Sequence, residues 1–209
     1  MSFWVNEWNL NKIRESDGEE FLHVFKQVEK YFRPQMAVFH GLSEDGYLLL
    51  FACAIAFDLA PYGNSEPGPS KLRDLLRAPL LHCASYCVLA TRLFRKARPK
   101  AAVDIRMAGW DEEDPHHPMV VGNHAQLFVE KVGVPLLLDP TVPLVAHTNY
   151  LDLKAGKPVG QVLVKVFGQR FDKIPEFRER VTSAVVGGKF KHAKVLYYQT
   201  ETEFAPPET

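Results

Sequence analysis

Three cysteines stand in the chain, Cys53, Cys83 and Cys87, and one of them sits where a thiol can react. Cys83 falls at the start of HCASYCVLATRLFRKA, in the first turns of a predicted helix. Unpaired backbone N–H groups and the helix dipole favour a thiolate there. The thiolate is the form that attacks a carbonyl carbon. The plainer alternative is a small buried residue, the usual fate of a free cysteine. His124, in GNHAQLF, begins a predicted strand, and Asp139, in LLLDPT, ends the next one. A hairpin turning about Lys131 and Val132 sets His124 opposite Asp139 on one face. A carboxylate beside an imidazole fixes its tautomer, so that the other ring nitrogen can face a thiol. An acid after three leucines needs a partner. Taken singly, His124 also reads as a strand-end histidine bonded to a carbonyl, and Asp139 as an Asp-Pro turn initiator.

The elements that must position these groups are legible as periodicities. EEFLHVFKQVEKYF, 19–32, puts Phe21, Val24, Phe25, Val28 and Phe32 on one helical stripe. YLLLFACAIAFDLA, 47–60, reads as a buried helix carrying Cys53 in its packing. PYGNSEPGPS, 61–70, is a loop, and KLRDLLR, 71–77, a short basic helix. The central helix is expected to start near Pro79–Cys83 and to run to about Lys96, with Arg98 and Pro99 ending it. Strands are expected at 101–107, 120–130, 134–141, 161–167 and 193–199, with a polar loop at 109–118 and a helix at 173–186. Helices followed by an antiparallel sheet define an α+β fold with the central helix packed on the sheet. One domain is expected over 1–203, with a helical part, 1–97, and a sheet part, 98–203, that could leave a cleft between them. Residues 204–209 read as a loose tail.

With their surroundings, Cys83, His124 and Asp139 resemble the transglutaminase-like branch of the papain-type cysteine hydrolase superfamily. The resembling pieces are HCASYCVLATRLFRKA, NHAQLFVE and LLLDPT, and the likeness covers roughly a third of the chain, residues 77–145. It implies a papain-like core in which Cys83 is the nucleophile, His124 the general base and Asp139 its orienting acid. It also implies attack on an amide or peptide carbonyl through a thioester, with no cofactor and no metal. Hydrolysis, as in a protease or amidase, is slightly preferred because water needs no second binding site. The alternatives are a transglutaminase or deamidase acting on protein glutamine, and a catalytically inactive binding module. The backbone N–H of Cys83 would serve an oxyanion hole. Tyr62 and Asn64, in the Pro-rich loop, are candidates for a second donor. Leu81 stands where the family commonly has glycine, and Gln126 where it has an aromatic residue.

Competing chemistry is weaker. Cys83 and Cys87 with His82, His116 and His117 could bind zinc, but the spacing is not the Cys-x-x-Cys of structural sites or redox pairs. DEEDPHH, 111–117, reads as a solvated turn, or else as an acidic rim for basic substrates. Arg92, Arg95, Lys96, Arg98 and Lys100 suit the negative end of a helix dipole and read as solvated. Without interleaved aromatics they do not suggest nucleic acid. The 209 residues carry 25 basic and 25 acidic side chains, so no general pull toward nucleic acid or anionic lipid is expected. With 46% apolar and 24% charged residues the composition is that of a folded chain. The longest apolar run is too short to span a bilayer and is broken by Asp58. MSFWVNEWNL lacks the pattern of a secretion signal, and three cysteines fit a reducing compartment. The setting expected is therefore cytoplasmic, with export by a dedicated machine as the alternative. The partner expected is a protein, peptide or small amide substrate, with no membrane and the oligomeric state left open.

Overall fold

The computed structural model describes residues 5–63, 70–111, 124–142, 144–163 and 175–208. The chain opens with α1, Glu7–Glu15, started by a capping box between Asn6 and Asn9. α2, Phe21–Gln35, buries the expected stripe from Phe21 to Phe32. α3, Glu44–Leu59, begins at Ser43, whose side chain accepts the Gly46 N–H, and carries Glu44 and Asp45 in its first turn. It is buried almost all round. The Phe51 ring lies 5.5, 5.2 and 5.7 Å from the rings of Phe21, Phe25 and Phe32. After α4, Leu72–Arg77, the central helix α5 runs Cys83–Ala97. Pro79 therefore precedes the helix and does not lie in its first turn. His82 takes the capping place.

The strands are β1, Asp104–Asp111; β2, His124–Glu130; β3, Leu136–Asp139; β4, Leu144–His147; β5, Val162–Leu163; and β6, Lys194–Thr200. They form a six-stranded sheet in the order β5-β4-β3-β2-β1-β6, antiparallel throughout. β1 lies between β2 and the edge strand β6 and extends through Gly109 and Trp110, which the sequence suggests as loop. Trp110 pairs with His124 on one side and with Val195, past a bulge, on the other. β4 and α6, Tyr150–Lys154, were not foreseen. The expected strand at 161–167 is described only as β5, and its remainder lies outside the described residues.

Alternation along the strands divides the sheet into two faces. Ile105, Met107, Leu127, Val129, Leu136 and Leu138 join α2, α3 and α5 in one core. The helical and sheet parts are thus fused through shared packing rather than parted into lobes. Trp110, Phe128, Leu137 and Leu144 form a second core with Leu153 of α6, with Val181 and Val185 of α7, Pro175–Val186, and with Phe190. The expectation of helices first and sheet second missed this second cover. The C-terminal segment is not loose. α8, Glu201–Phe204, is closed by a capping box, and Phe204 and Ala205 are buried. The Glu208 carboxylate accepts the Leu72 N–H at 2.6 Å.

In the basic run at the end of α5, Arg92 and Arg95 are engaged, whereas Lys96 and Lys100 are exposed as expected. The Arg95 guanidinium holds both oxygens of Glu201 at 2.6 Å and donates to the carbonyls of Ala101 and Val103. Arg92 donates to the carbonyls of Ser70 and Pro206. Lys96 pairs with Glu19 at 2.6 Å. These contacts tie α5 to the C-terminal segment and to α1's exit, which no periodicity could have shown.

Candidate active site

The approach to α5 is pinned before the helix begins. Leu81 N–H donates to Pro61 O and Gly63 N–H to Leu81 O, each at 3.0 Å, in a short parallel bridge between Tyr62 and Leu81. His82 is extended, and its Nδ1 accepts the Ser85 N–H at 3.4 Å while Nε2 lies 3.1 Å from Ser85 Oγ. That places Cys83 as the first helical residue, with 9% of its surface exposed. Its own N–H therefore precedes the i→i−4 ladder of the helix. Cys87, one turn further on, is fully buried, and Cys53 is buried in α3. Burial pushes both of their thiols well above the ordinary cysteine value.

His124 and Asp139 come together, though not in the register expected. β2 and β3 pair as Leu127 with Leu138, Phe128 with Leu137 and Val129 with Leu136. Continued by one step, that register sets Gln126 opposite Asp139. His124 is two residues further along, on the same face and diagonal to the acid. The shift follows from the turn. It spans the residues between Glu130 and Leu136, with Lys131 at φ 64° and Gly133 at φ 94°. Val132, between them, is buried and its carbonyl accepts the Ser43 N–H at 2.8 Å. A shift of two residues preserves the face, since strand side chains alternate with period two. Hence His124 Nε2 still reaches Asp139 Oδ2, at 2.5 Å.

Asp139 is wholly buried and accepts three donors. Besides His124, the Gln126 amide donates to Oδ2 at 3.0 Å and the Thr141 N–H to Oδ1 at 3.1 Å. In the sequence Gln126 marks only a departure from the family pattern. Here it is a fully buried side chain that holds the acid in place. A polar residue in step with His124 in an otherwise apolar strand was the signal for it. His82, considered only as a zinc ligand, is both the cap of α5 and a hydrogen-bond partner of the Cys83 thiol.

The His124 ring, His82 and the Ala125 N–H lie near enough to the Cys83 thiol to act on its charge. This is the end of the sheet where β2 begins. Nε2 of His124 is engaged by Asp139, and Nδ1 is buried. Burial raises the thiol's pKa, but hydrogen bonds from His124 and His82, the His124 charge and the Ala125 N–H outweigh it. The result is a fall from 9.0 to about 6. For His124, burial works against the charged ring. The Asp139 charge and hydrogen bond, followed by those of Cys83, outweigh burial and lift it from 6.5 to about 10. Together these shifts favour a thiolate–imidazolium pair at neutral pH.

Other expected site residues are placed less informatively. Asn64, His116 and His117 lie outside the described residues, as does most of the acidic loop at 111–117. Among the described residues no three His, Cys, Asp or Glu side chains gather to hold a metal ion. No described helix is long and apolar enough to cross a membrane. A cavity of about 740 Å³ lies at the far end of α5, lined by Arg73, Arg92, Lys96, Lys100 and Glu208. None of Cys83, His124 and Asp139 lines it.

What the architecture defines is a mixed α+β fold with helices packed against an antiparallel sheet. No protein-family model, curated protein or solved structure matches the chain.

Proposed function

We propose that this protein is a cysteine-dependent acyl-transfer enzyme built on a papain-type, transglutaminase-like core. It acts on an amide or peptide bond of a protein, peptide or small amide. The observation that carries the reading is the buried Asp139 carboxylate bonded to His124 Nε2 at 2.5 Å, with the His124 ring lowering the pKa of the Cys83 thiol at the start of α5. The Cys83 thiol is lowered and the His124 ring raised from their ordinary values, the directions nucleophilic catalysis needs.

In this mechanism the Cys83 thiolate adds to the carbonyl carbon, and the C=O π pair moves to oxygen. Collapse breaks the C–N bond, and the His124 imidazolium gives its proton to the departing amine. A thioester on Cys83 remains. Water then adds to it while the now neutral His124 accepts a proton. The S–C bond breaks, the acid leaves, and the thiolate–imidazolium pair is restored. Hydrolysis is preferred over transfer to an amine because water requires no second binding site. With a glutamine side chain as donor, water gives deamidation and an amine gives a cross-link.

Iodoacetamide at neutral pH tests the reading on folded full-length protein. Cys83 is expected to be carboxamidomethylated well ahead of Cys53 and Cys87. Cys83→Ala is expected to remove turnover of an amide substrate in protein that stays folded at neutral pH. Slow labelling at all three cysteines would instead describe a binding module that keeps the fold without the chemistry.

A further inference from the structure

The cavity at the far end of α5 has a volume of about 740 Å³, within the range of small-molecule sites. Arg73 of α4, Arg92, Arg95 and Lys96 of α5, and Lys100 beyond it supply its cations. Three carboxylates answer them, from Asp17, Glu201 and Glu208. The whole chain balances 25 basic against 25 acidic side chains, so the excess of positive charge belongs to this place.

Pairing inside the cavity leaves two cations uncommitted. Arg95 and Glu201 close on each other at 2.6 Å through both carboxylate oxygens. Asp17 is taken by Arg77 at 2.9 Å and reaches Arg73 only at 3.9 Å. Lys96 turns to Glu19. Arg73 and Lys100 stay exposed. The negative end of the α5 dipole accounts for Arg95 and Lys96 in its last turn, but not for Arg73 on a separate helix. The chain also places an anion of its own here. Glu208 Oε1 lies 3.3 Å from Arg92 Nη1 and accepts the Leu72 N–H at 2.6 Å. The Glu208 side chain keeps 40% of its surface exposed, so it can leave Arg92 without opening the core. Leu72, Pro99 and Ala205 give the cavity apolar wall, and no aromatic ring lines it among the described residues.

We infer that this cavity binds a small soluble phosphate monoester with an aliphatic body. Its phosphate takes the place of the Glu208 carboxylate on Arg92 and is met by Arg73 and Lys100. A single carboxylate already satisfies Arg92. Two further cations call for more charge, and a phosphate monoester carries about −1.5 to −2 at neutral pH. Guanidinium groups match its oxygens in geometry as well as in sign. The aliphatic body covers the apolar wall. Cys83, His124 and Asp139 do not line the cavity, so this site stands or falls apart from the acyl-transfer reading.

Calorimetric titration of full-length protein with hexyl phosphate, at fixed ionic strength and neutral pH, tests the assignment. Wild type is expected to bind it saturably and more tightly than inorganic phosphate, which lacks the body. The double variant Arg73→Ala/Lys100→Ala removes two exposed side chains and is expected to keep the wild-type unfolding midpoint. Its affinity for hexyl phosphate should fall on the order of tenfold or more. Glu208→Gln keeps an acceptor for the Leu72 N–H but removes the competing charge, and it should bind hexyl phosphate more tightly than wild type. Absence of saturable binding overturns the inference, as does equal affinity in wild type and the double variant. Affinity unchanged or weakened in Glu208→Gln overturns the exchange at Arg92. Inorganic phosphate bound as tightly as hexyl phosphate overturns the aliphatic body. Co-sedimentation with phosphatidylcholine vesicles containing phosphatidic acid, lost in the double variant, overturns the soluble class in favour of a lipid headgroup.

Discussion

At Cys83 two opposing effects meet, and their balance can be read by pH. Burial disfavours the thiolate, while His124, His82 and the Ala125 N–H favour it, and the second group prevails. Alkylation of Cys83 should therefore rise with pH through a midpoint near 6. An unperturbed cysteine rises at about 8.5. Asp139→Asn tests the source of the shift. Without the carboxylate, the imidazolium loses its strongest support and the thiolate loses its counter-charge. The alkylation midpoint of that variant is expected to move upward by about one unit or more. A midpoint left near 6 would mean that His124, His82 and the Ala125 N–H hold the thiolate without the carboxylate and that the acid is only structural. Gln126 and Thr141 keep the acid's remaining lone pairs occupied, which is why a wholly buried carboxylate is tolerable at this place.

Among the elements, the β2–β3 connection governs whether the histidine and the acid meet. Gly133 lies at φ 94°, and a Cβ there would run into the Gly41 carbonyl oxygen. Gly133→Ala is expected to destabilise the protein by about 1–3 kcal/mol from backbone strain alone, with the collision adding to it. A urea titration measures the loss as a lower midpoint. An unchanged midpoint would show that the turn can relax away from α3. Gly109 does a related task on β1, where a Cβ would strike the Tyr197 ring that lies across it. In α5 the decisive contact is at the other end. Arg95 and Arg92 grip the C-terminal segment, so that the helix is clamped by its tail while its mouth carries the thiol.

For the whole molecule, the thiolate–imidazolium pair has a consequence for stability. A depressed thiol contributes stability that is lost as pH falls through its folded value near 6. A raised imidazole contributes stability that is lost as pH rises through its folded value near 10. Between roughly pH 6.5 and 8.5 the unfolded pair holds its proton on sulfur and the folded pair holds it on nitrogen. The number of protons is equal, so this pair adds no slope to stability in that window. Cys83→Ala breaks the cancellation. His124 then keeps its raised pKa from Asp139 with no compensating thiol. Relative to wild type, the variant should lose stability as pH increases from 6.5 to 8.5, read as a growing gap between urea midpoints. A gap that stays constant with pH would show that the imidazole is neutral in the folded protein.

The residue types and their period carried much of this arrangement. The Phe21–Phe32 stripe, the all-apolar α3 and the cysteine opening α5 are local patterns, set by which side chains can be buried on a 3.6-residue repeat. His124 and Asp139 on one face also came from local pattern, because period two survives a register slip of two residues. The slip itself did not, since Val132 docks on Ser43, far away in the chain. Nor did the roles of Gln126 and His82, or the anchoring of the tail by Arg92 and Arg95. Each depends on a partner brought close only by folding, and a hydrogen bond or an ion pair between distant residues leaves no periodic trace. Sequence alone thus determined which residues could do chemistry and on which faces they lie. Tertiary structure decided which atoms meet, because it alone sets the distance between a thiol on a helix and an imidazole on a strand.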